Sequence, residues 1–399
     1  MDQGEVRRLS SGVNQQGVRD HNERLILSMI QRHGALPGSD LARIAGLSPQ
    51  TVSVILRGLE GEGFITRGDP QRGRVGKPSV PMTLAADGVF SVGLKIGRRS
   101  ADLVLADFRG QVRGQLQATY RYPLPAEVFG FLRKGFATLT EAARLPARAR
   151  IAGIGIAKPF EMWNWHDAVG APAAELAVWR DIDFEAEIAR FCDLPVLVEN
   201  DATAACRAEH VYGRGRAFRD YAYFFVGSFV GGGVVLNHSV FDGAMGNAGA
   251  FGSLPAMRAD GRACQLIDVA SLYLLEADIV AEGHDPRLLW TQPQDWSAFA
   301  APLERWIDAA GAQLARAALT VCAVIDFEAV IIDGGFPDAV RDRLVARVAQ
   351  ELVRLDSRGL SLPRIEAGQV GGNARALGAA CGPVFSRYLL NTHGGLTVN

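Results

Sequence analysis

Residues 221–253 read YAYFFVGSFVGGGVVLNHSVFDGAMGNAGAFGS, and this stretch restricts the fold more than any other. An aromatic and β-branched run reaches Gly227, passes Gly231, Gly232 and Gly233, and resumes as Val234, Val235 and Leu236. The pattern predicts a strand, a tight glycine turn and a returning strand, because residues without a Cβ let a chain reverse or come close to a ligand. Such hairpins also occur in sheets that bind nothing, so the pattern specifies local structure and not chemistry. The apolar run is shorter than the ~20 residues of a spanning helix and is interrupted by glycines.

At 399 residues the chain exceeds one ordinary core, and its length suggests roughly two or three domains. Its 42 Lys and Arg nearly balance 43 Asp and Glu, so any DNA contact has to come from a local patch. Cys192, Cys206, Cys264, Cys322 and Cys381 lie far apart with no CxxC pair, which argues against a disulfide framework or a zinc ribbon and fits a reducing cytoplasm. Charges at Asp2, Glu5, Arg7 and Arg8 are unlike a signal peptide or an anchor, so a cytoplasmic chain with no membrane partner is expected.

Just before the glycine stretch, Leu197-Val198-Glu199-Asn200-Asp201-Ala202 reads as an apolar strand that ends in an amide and a carboxylate and leads into small residues suited to a packed helix. After it comes Gly246-Asn247-Ala248-Gly249. In this order the segments resemble the ROK family, which contains bacterial sugar kinases and sugar-responsive repressors of the xylose and N-acetylglucosamine type. The resemblance runs from about Val92 to Leu377 and implies an α/β, actin-like domain of two lobes with a cleft between them. It implies that Asn200 and Asp201 hold sugar hydroxyls, the position of Asp201 being the general base in the kinases. The strands expected at Phe90 to Leu94 and Ala101 to Asp107, with Arg109-Gly110 turning into a third, repeat the hairpin theme of Tyr221. Ala329 to Gly335, AVIIDGG, resembles the family's adenosine-side loop, and a last helix is expected from Gly372 through Leu377 to Cys381.

The first part of the chain reads differently. Residues 1–20 are polar and are expected as a loose arm. Asn22 is placed to cap a helix with Leu25, Ile26, Met29 and Ile30 on one face, ended by Gly34; a second helix follows from Ser39 to Gly46. Ser48 then caps a third, with Pro49 at its first position and Val52, Leu56 and Leu59 as the inward stripe. This is the spacing of a helix-turn-helix, and Gln50, Thr51, Ser53, Val54 and Arg57 project outward as candidate base-reading groups. Strands at Gly63 to Arg67 and Val80 to Leu84 flank a basic loop, Gln71-Arg72-Gly73-Arg74-Val75-Gly76-Lys77-Pro78, whose glycines and cations suit a wing in a minor groove. The ROK repressors carry the same winged arrangement, and the family's kinases lack it. The candidate DNA contacts are therefore Ser48, Gln50, Thr51, Ser53, Arg57, Arg72, Arg74 and Lys77.

Against the resemblance, parts of the kinase chemistry are missing. Where the kinases read close to DxGGT, this chain has Lys95-Ile96-Gly97-Arg98-Arg99, a cation in place of the carboxylate that manages metal-bound phosphate. Ser253 stands where the family has a zinc-binding His, and Cys264 is the lone cysteine of the segment that should supply the other donors, so no structural zinc is expected. Ala250 and Ile267 fall on family positions that accept sugar hydroxyls. The loop Lys158 to His166, KPFEMWNWH, offers Glu161, Asn164, Trp163, Trp165 and His166 as substitutes, the Trp rings serving either a sugar face or the core.

The expected organisation is an arm at 1–20, a winged helix-turn-helix at 21–85 and a two-lobed ROK domain at 88–399. The expected function is a DNA-binding transcription regulator, a repressor of carbohydrate-utilisation genes, controlled by a sugar or sugar derivative. It has no catalytic residues, metal or cofactor, and it acts on a duplex operator as a homodimer or tetramer. Candidate effector contacts are Asn200, Asp201, Asn247, Ser253, Trp163 and Glu161. An active sugar kinase with an appended DNA-binding domain and a DNA-binding scaffold without a ligand are the alternatives.

Overall fold

Short helices and a small sheet build the N-terminal unit. The computed structural model describes residues 15–70, 79–145, 150–165, 171–290 and 294–390, and the chain divides into one unit up to Gly88 with Tyr388–Leu390, and a second at Val89–Arg387. In the first, α1 (Gln15–His33), β1 (Leu36–Pro37), α2 (Gly38–Ala45) and α3 (Pro49–Gly61) precede β2 (Ile65–Arg67) and β3 (Pro81–Leu84), with sheet order β1-β3-β2. Ile26, Ile30, Leu41, Val52, Leu59 and Ile65 form its core. Gly46 at φ 65° ends α2, its N–H reaching the Ala42 carbonyl, and Ser48 caps α3 by accepting the Thr51 N–H at 3.0 Å.

Two details of the sequence reading change. α1 starts at Gln15, so residues 15–20, expected in the arm, are helical and Asn22 lies inside the helix. On α3 the buried stripe is Val52, Ile55 and Leu59, with Leu56 half-buried; positions i+3 and i+4 both lie beside i on a helix, and the packing partners select Ile55 over Leu56. The wing loop 71–78, with Arg72, Arg74 and Lys77, lies outside the described residues. Tyr388–Leu390 is part of this unit: Arg24 donates to the Leu389 carbonyl at 2.9 Å, Ser28 Oγ accepts the Leu390 N–H at 2.8 Å, and the Tyr388 ring meets Phe64 at 5.4 Å.

The second unit contains two sheets of the same topology. β4 (Phe90–Ile96), β5 (Ser100–Asp107) and β6 (Val112–Thr119) form an antiparallel meander; α4 (Pro125–Ala142) follows, and β7 (Ile151–Lys158) and β8 (Val196–Asn200) extend the sheet in parallel, in order β6-β5-β4-β7-β8. α5 (Asp201–Tyr212) leads to the second sheet. There β9 (Tyr221–Val226), β10 (Val230–Leu236) and β11 (Ser239–Phe241) repeat the meander, β12 (Pro255–Met257) and β13 (Ala263–Gln265) form a separate hairpin, and α6 (Leu272–Ala281) and α7 (Ala300–Val324) follow. β14 (Ala329–Gly334), α8 (Asp338–Leu352) and β15 (Arg364–Ala367) complete the order β11-β10-β9-β14-β15, and α9 (Ala374–Tyr388) runs on past Cys381. The central strands β4 and β9 are buried along their whole lengths, as expected where both faces of a sheet are covered. α7 is long and apolar enough to span a membrane, yet Leu303, Trp306, Leu314 and Val321 place it in the core of the second lobe.

The glycine turn is a correction. Gly231, Gly232 and Gly233 lie within β10, and the reversal occurs at Gly227-Ser228-Phe229. A Cβ on Gly231 would stand 2.8 Å from the Ala202 side chain, on Gly232 2.3 Å from the Phe251 ring, and on Gly233 2.4 Å from the Cys206 side chain. The three glycines thus let α5 and the Phe251 segment lie directly on the strand, a packing requirement that a local pattern cannot distinguish from a turn.

Candidate functional site

On α3, Gln50, Thr51, Ser53, Val54 and Arg57 are all exposed, opposite Val52, Ile55 and Leu59. Ser48 also shares a 2.8 Å hydrogen bond with the Thr51 hydroxyl, and Arg57 Nε donates to the Ser53 carbonyl at 3.3 Å. The face therefore presents amide, hydroxyl, methyl and guanidinium groups from a helix whose first turn is capped and carries no acidic residue.

In the second unit a cleft of about 1930 Å³ is bounded by the β4–β5 turn, the β8–α5 junction, the β9–β10 turn, residues 247–253 and the start of α9. Asn200, Asp201, Asn247, Ser253 and Glu161 line it. Asn200 is the N-cap of α5, its Oδ1 accepting the N–H groups of Ala202 at 2.9 Å and Thr203 at 3.3 Å, while its Nδ2 stands 3.5 Å from Asn247 Oδ1. Asp201, in the first turn, accepts from Arg375 of α9 at 3.3 Å, and the Arg375 guanidinium lies over Phe225 at 4.8 Å. Glu161 accepts from Asn164 at 3.0 Å. Trp163 is not among the described residues lining the cleft. Its ring packs against the first lobe's core with the Lys158 ammonium at 5.7 Å and the Arg180 guanidinium at 5.9 Å. His166 lies outside the described residues.

The hairpin that carries Lys95 is closed on itself. The Lys95 ammonium donates to Asp102 Oδ2 at 2.8 Å, Ser100 Oγ at 3.0 Å and the Ser100 carbonyl at 3.3 Å, which uses all three of its donors. Gln117 donates to the other Asp102 oxygen at 2.6 Å. Burial alone would raise the Asp102 carboxyl, but the Lys95 charge and these hydrogen bonds hold it below its usual range. Ala250 and Ile267 line the cleft with apolar side chains, and Cys264 stands half-buried on β13. Among the described residues no group of three His, Cys, Asp or Glu side chains is placed to hold a metal ion.

Behind the cleft wall two carboxylates organise its loops. Glu209 of α5 accepts the N–H groups of Gln369 and Val370 at 3.1 Å, and Asp333 at the end of β14 accepts those of Gly334 at 2.9 Å and Gly371 at 2.8 Å. Burial, helped by the nearby Glu209 charge, pushes Asp333 up to about 7. Arg207, Glu199 and Asp242 form a second buried cluster, with Arg207 3.1 Å from Glu199 and 3.3 Å from Asp242. Arg375, Asp102, Glu209 and Asp333 escaped the sequence reading. No spacing links Arg375 to Asp201, because the contact joins residues 174 apart.

Residues 91–265 match the model of the ROK family, and residues 21–71 match that of the MarR family. Over 371 residues the chain is 26% identical to the protein y4fQ of Sinorhizobium fredii (strain NBRC 101917 / NGR234), covering 92% of this chain and 91% of that one. It is 24% identical over 248 residues to the xylose repressor of Bacillus subtilis (strain 168), covering 61% of this chain and 62% of the repressor, less than two thirds of its length. A solved structure of a ROK family transcriptional regulator, a homologue of the E. coli MLC protein, aligns at TM-score 0.63 and 21% identity over 91% of this chain and 95% of that one, a likeness of fold.

Proposed function

From a chain that carries a ROK family domain behind a MarR-type helix-turn-helix region, we propose a sugar-responsive transcription repressor without phosphotransferase activity. The observation that carries this reading is Lys95. A buried ammonium, matched by Asp102 and Ser100, fills the place where phosphoryl transfer would need a carboxylate beside the metal. Asp201 is retained, but a general base without a metal-bound phosphate donor does not transfer phosphate, and Arg375 already holds one of its oxygens. Binding without turnover is the chemistry that remains for the cleft. The exposed face of α3 and the basic loop 71–78 supply the DNA contacts, with Gln50, Thr51, Ser53 and Arg57 toward bases and Arg72, Arg74 and Lys77 toward the backbone and minor groove. A homodimer reading two half-sites one or more helical turns apart is the simplest assembly, and a tetramer pairs two such dimers. The ligand acts by binding the DNA-releasing conformation more tightly than the DNA-bound one. Xylose, named for the Bacillus subtilis relative, is a first probe.

The test begins with selection of duplexes from a random pool by the full chain, followed by titration of the selected duplex complex with a sugar panel. Selection of one sequence and its release by a sugar is expected. Absence of any selected sequence would remove the repressor reading, and sugar-dependent ADP release in a coupled assay would replace it with the kinase reading.

A further inference from the structure

Asn200 and Asn247 line the cleft from segments 47 residues apart, and one buried side chain is bonded to both segments. Arg207 of α5 has a side chain only 2% exposed. Its Nε and one terminal nitrogen donate to Glu199 Oε2 at 3.3 and 3.1 Å, and that terminal nitrogen also donates to Asp242 Oδ1 at 3.3 Å. Glu199 directly precedes Asn200 on β8, and Asp242 follows β11 and opens the loop 243–249 that carries Asn247.

This loop is held at its two ends. Its tip is open, for Met245 is 81% exposed and a Cβ on Gly246 would meet nothing within 4 Å. At the far end Gly249 lies on β10, where a Cβ would stand 2.5 Å from the Gly233 Cα. At the near end Asp242 accepts the Ala248 N–H on its carbonyl at 2.9 Å and Arg207 on its carboxylate. α5 is itself seated on β10 at Gly231 and Gly233, so the Arg207 side chain leaves from a fixed platform. Two carboxylates from separate segments repel when buried side by side, and a planar guanidinium between them turns repulsion into a link of fixed geometry. Apolar packing would stabilise the same place about as well, so what the buried cluster contributes is the geometry.

We propose that Arg207 is a positioning residue for the effector: by binding Glu199 and Asp242 it sets the separation of the Asn200-Asp201 pair from Asn247, and that separation selects the arrangement of hydroxyls the cleft accepts. The inference rests on the effector reading above and adds a specificity-determining residue that does not itself line the cleft.

Asp242→Ala tests it, because Arg207 then keeps Glu199 as its partner and no buried charge is left alone. The melting temperature of the unliganded variant should match that of the wild type. Hydrogen exchange of the amides of 243–249, Ala248 among them, should quicken about tenfold while those of α5 keep their rates. The full chain is titrated by calorimetry with glucose, mannose and galactose, and with xylose and lyxose, so that epimers are compared. The wild type is expected to separate at least one epimer pair by about tenfold or more. Asp242→Ala should lower affinity for the preferred epimer about tenfold and bring that ratio toward one. Arg207→Lys, a point charge that cannot fork to both carboxylates, should behave alike, whereas Asp242→Asn, which still accepts from Arg207, should keep most of the affinity and the ratio. Wild-type affinity and ratio in folded Asp242→Ala, unchanged exchange in 243–249, or a wild type that binds all five sugars alike would overturn this inference and leave the effector reading standing. No heat of binding and no operator release with any sugar would remove both.

Discussion

Asn200 and Asp201 both line the cleft, but Asn200 is also the N-cap of α5, and substitution separates the cap from the ligand contact. Asn200→Ala removes the cap of α5 and should cost the unliganded protein about 1 kcal/mol, and because Asn200 also lines the cleft it should lower effector affinity as well. Asp201→Ala should lower effector affinity by about one to two decades, since charge-assisted bonds contribute roughly 1.5 to 3 kcal/mol each. Asp201→Asn, which retains an acceptor, should lose less. Titration calorimetry beside thermal unfolding distinguishes the two, and wild-type release of DNA by the Asp201→Ala protein would mean that the ligand sits elsewhere in the cleft. On the DNA side, Gln50→Ala and Arg57→Ala, both on the exposed face of α3, should relax preference at particular base pairs by about 1 to 3 kcal/mol each when affinities for single-base operator variants are compared.

At the scale of elements, the wing loop and the glycine strand make opposite demands on sequence. In a chain with nearly balanced charge, the cations of loop 71–78 have to supply much of the phosphate contact, so Arg74→Ala should weaken operator binding and reduce the slope of log affinity against log salt by about one. An unchanged slope and affinity would remove the wing from the interface. In β10 the requirement is the absence of a side chain. Gly233→Ala places a methyl against Cys206 and should destabilise the second unit by about 1 to 3 kcal/mol, whereas Gly58→Ala, with open space around it on α3, should be neutral or stabilising. Denaturant midpoints compare the two.

For the whole molecule, the buried carboxylates couple the fold to pH. Asp333, raised by burial to about 7 in the fold, titrates near 4 when unfolded, so the folded chain keeps a proton that the unfolded chain has lost between those values. Its stabilising contribution is full below about pH 4 and is lost as pH rises through about 7. Asp333→Asn gives up one hydrogen bond, about 1 kcal/mol, and should flatten this part of the stability curve. Thermal unfolding of both proteins from pH 5 to 8 measures the difference, and parallel curves would show that Asp333 keeps the same protonation throughout. Because Asp333 holds Gly371 on the cleft wall, the same variant should also alter ligand affinity most above pH 7.

Sequence alone determined what depends on local order. Helix stops at Gly34 and Gly46, the Ser48-Pro49 start of α3, its outward polar face, the meander strands of the first lobe and the Asn200-Asp201 junction are all written in residues close to one another along the chain. The loss of the phosphate carboxylate at Lys95 was equally legible, since it needs only one position and the resemblance around it. Tertiary structure decided what depends on residues brought together from a distance. It made Gly231 to Gly233 a packing surface for α5, turned Trp163 away from the cleft, set Arg375 on Asp201 and matched Lys95 with Asp102. It also paired the charge of Arg98 with Glu276. The physical reason is range: capping, turns and periodicity act over a few residues, whereas burial and charge pairing are properties of a three-dimensional neighbourhood.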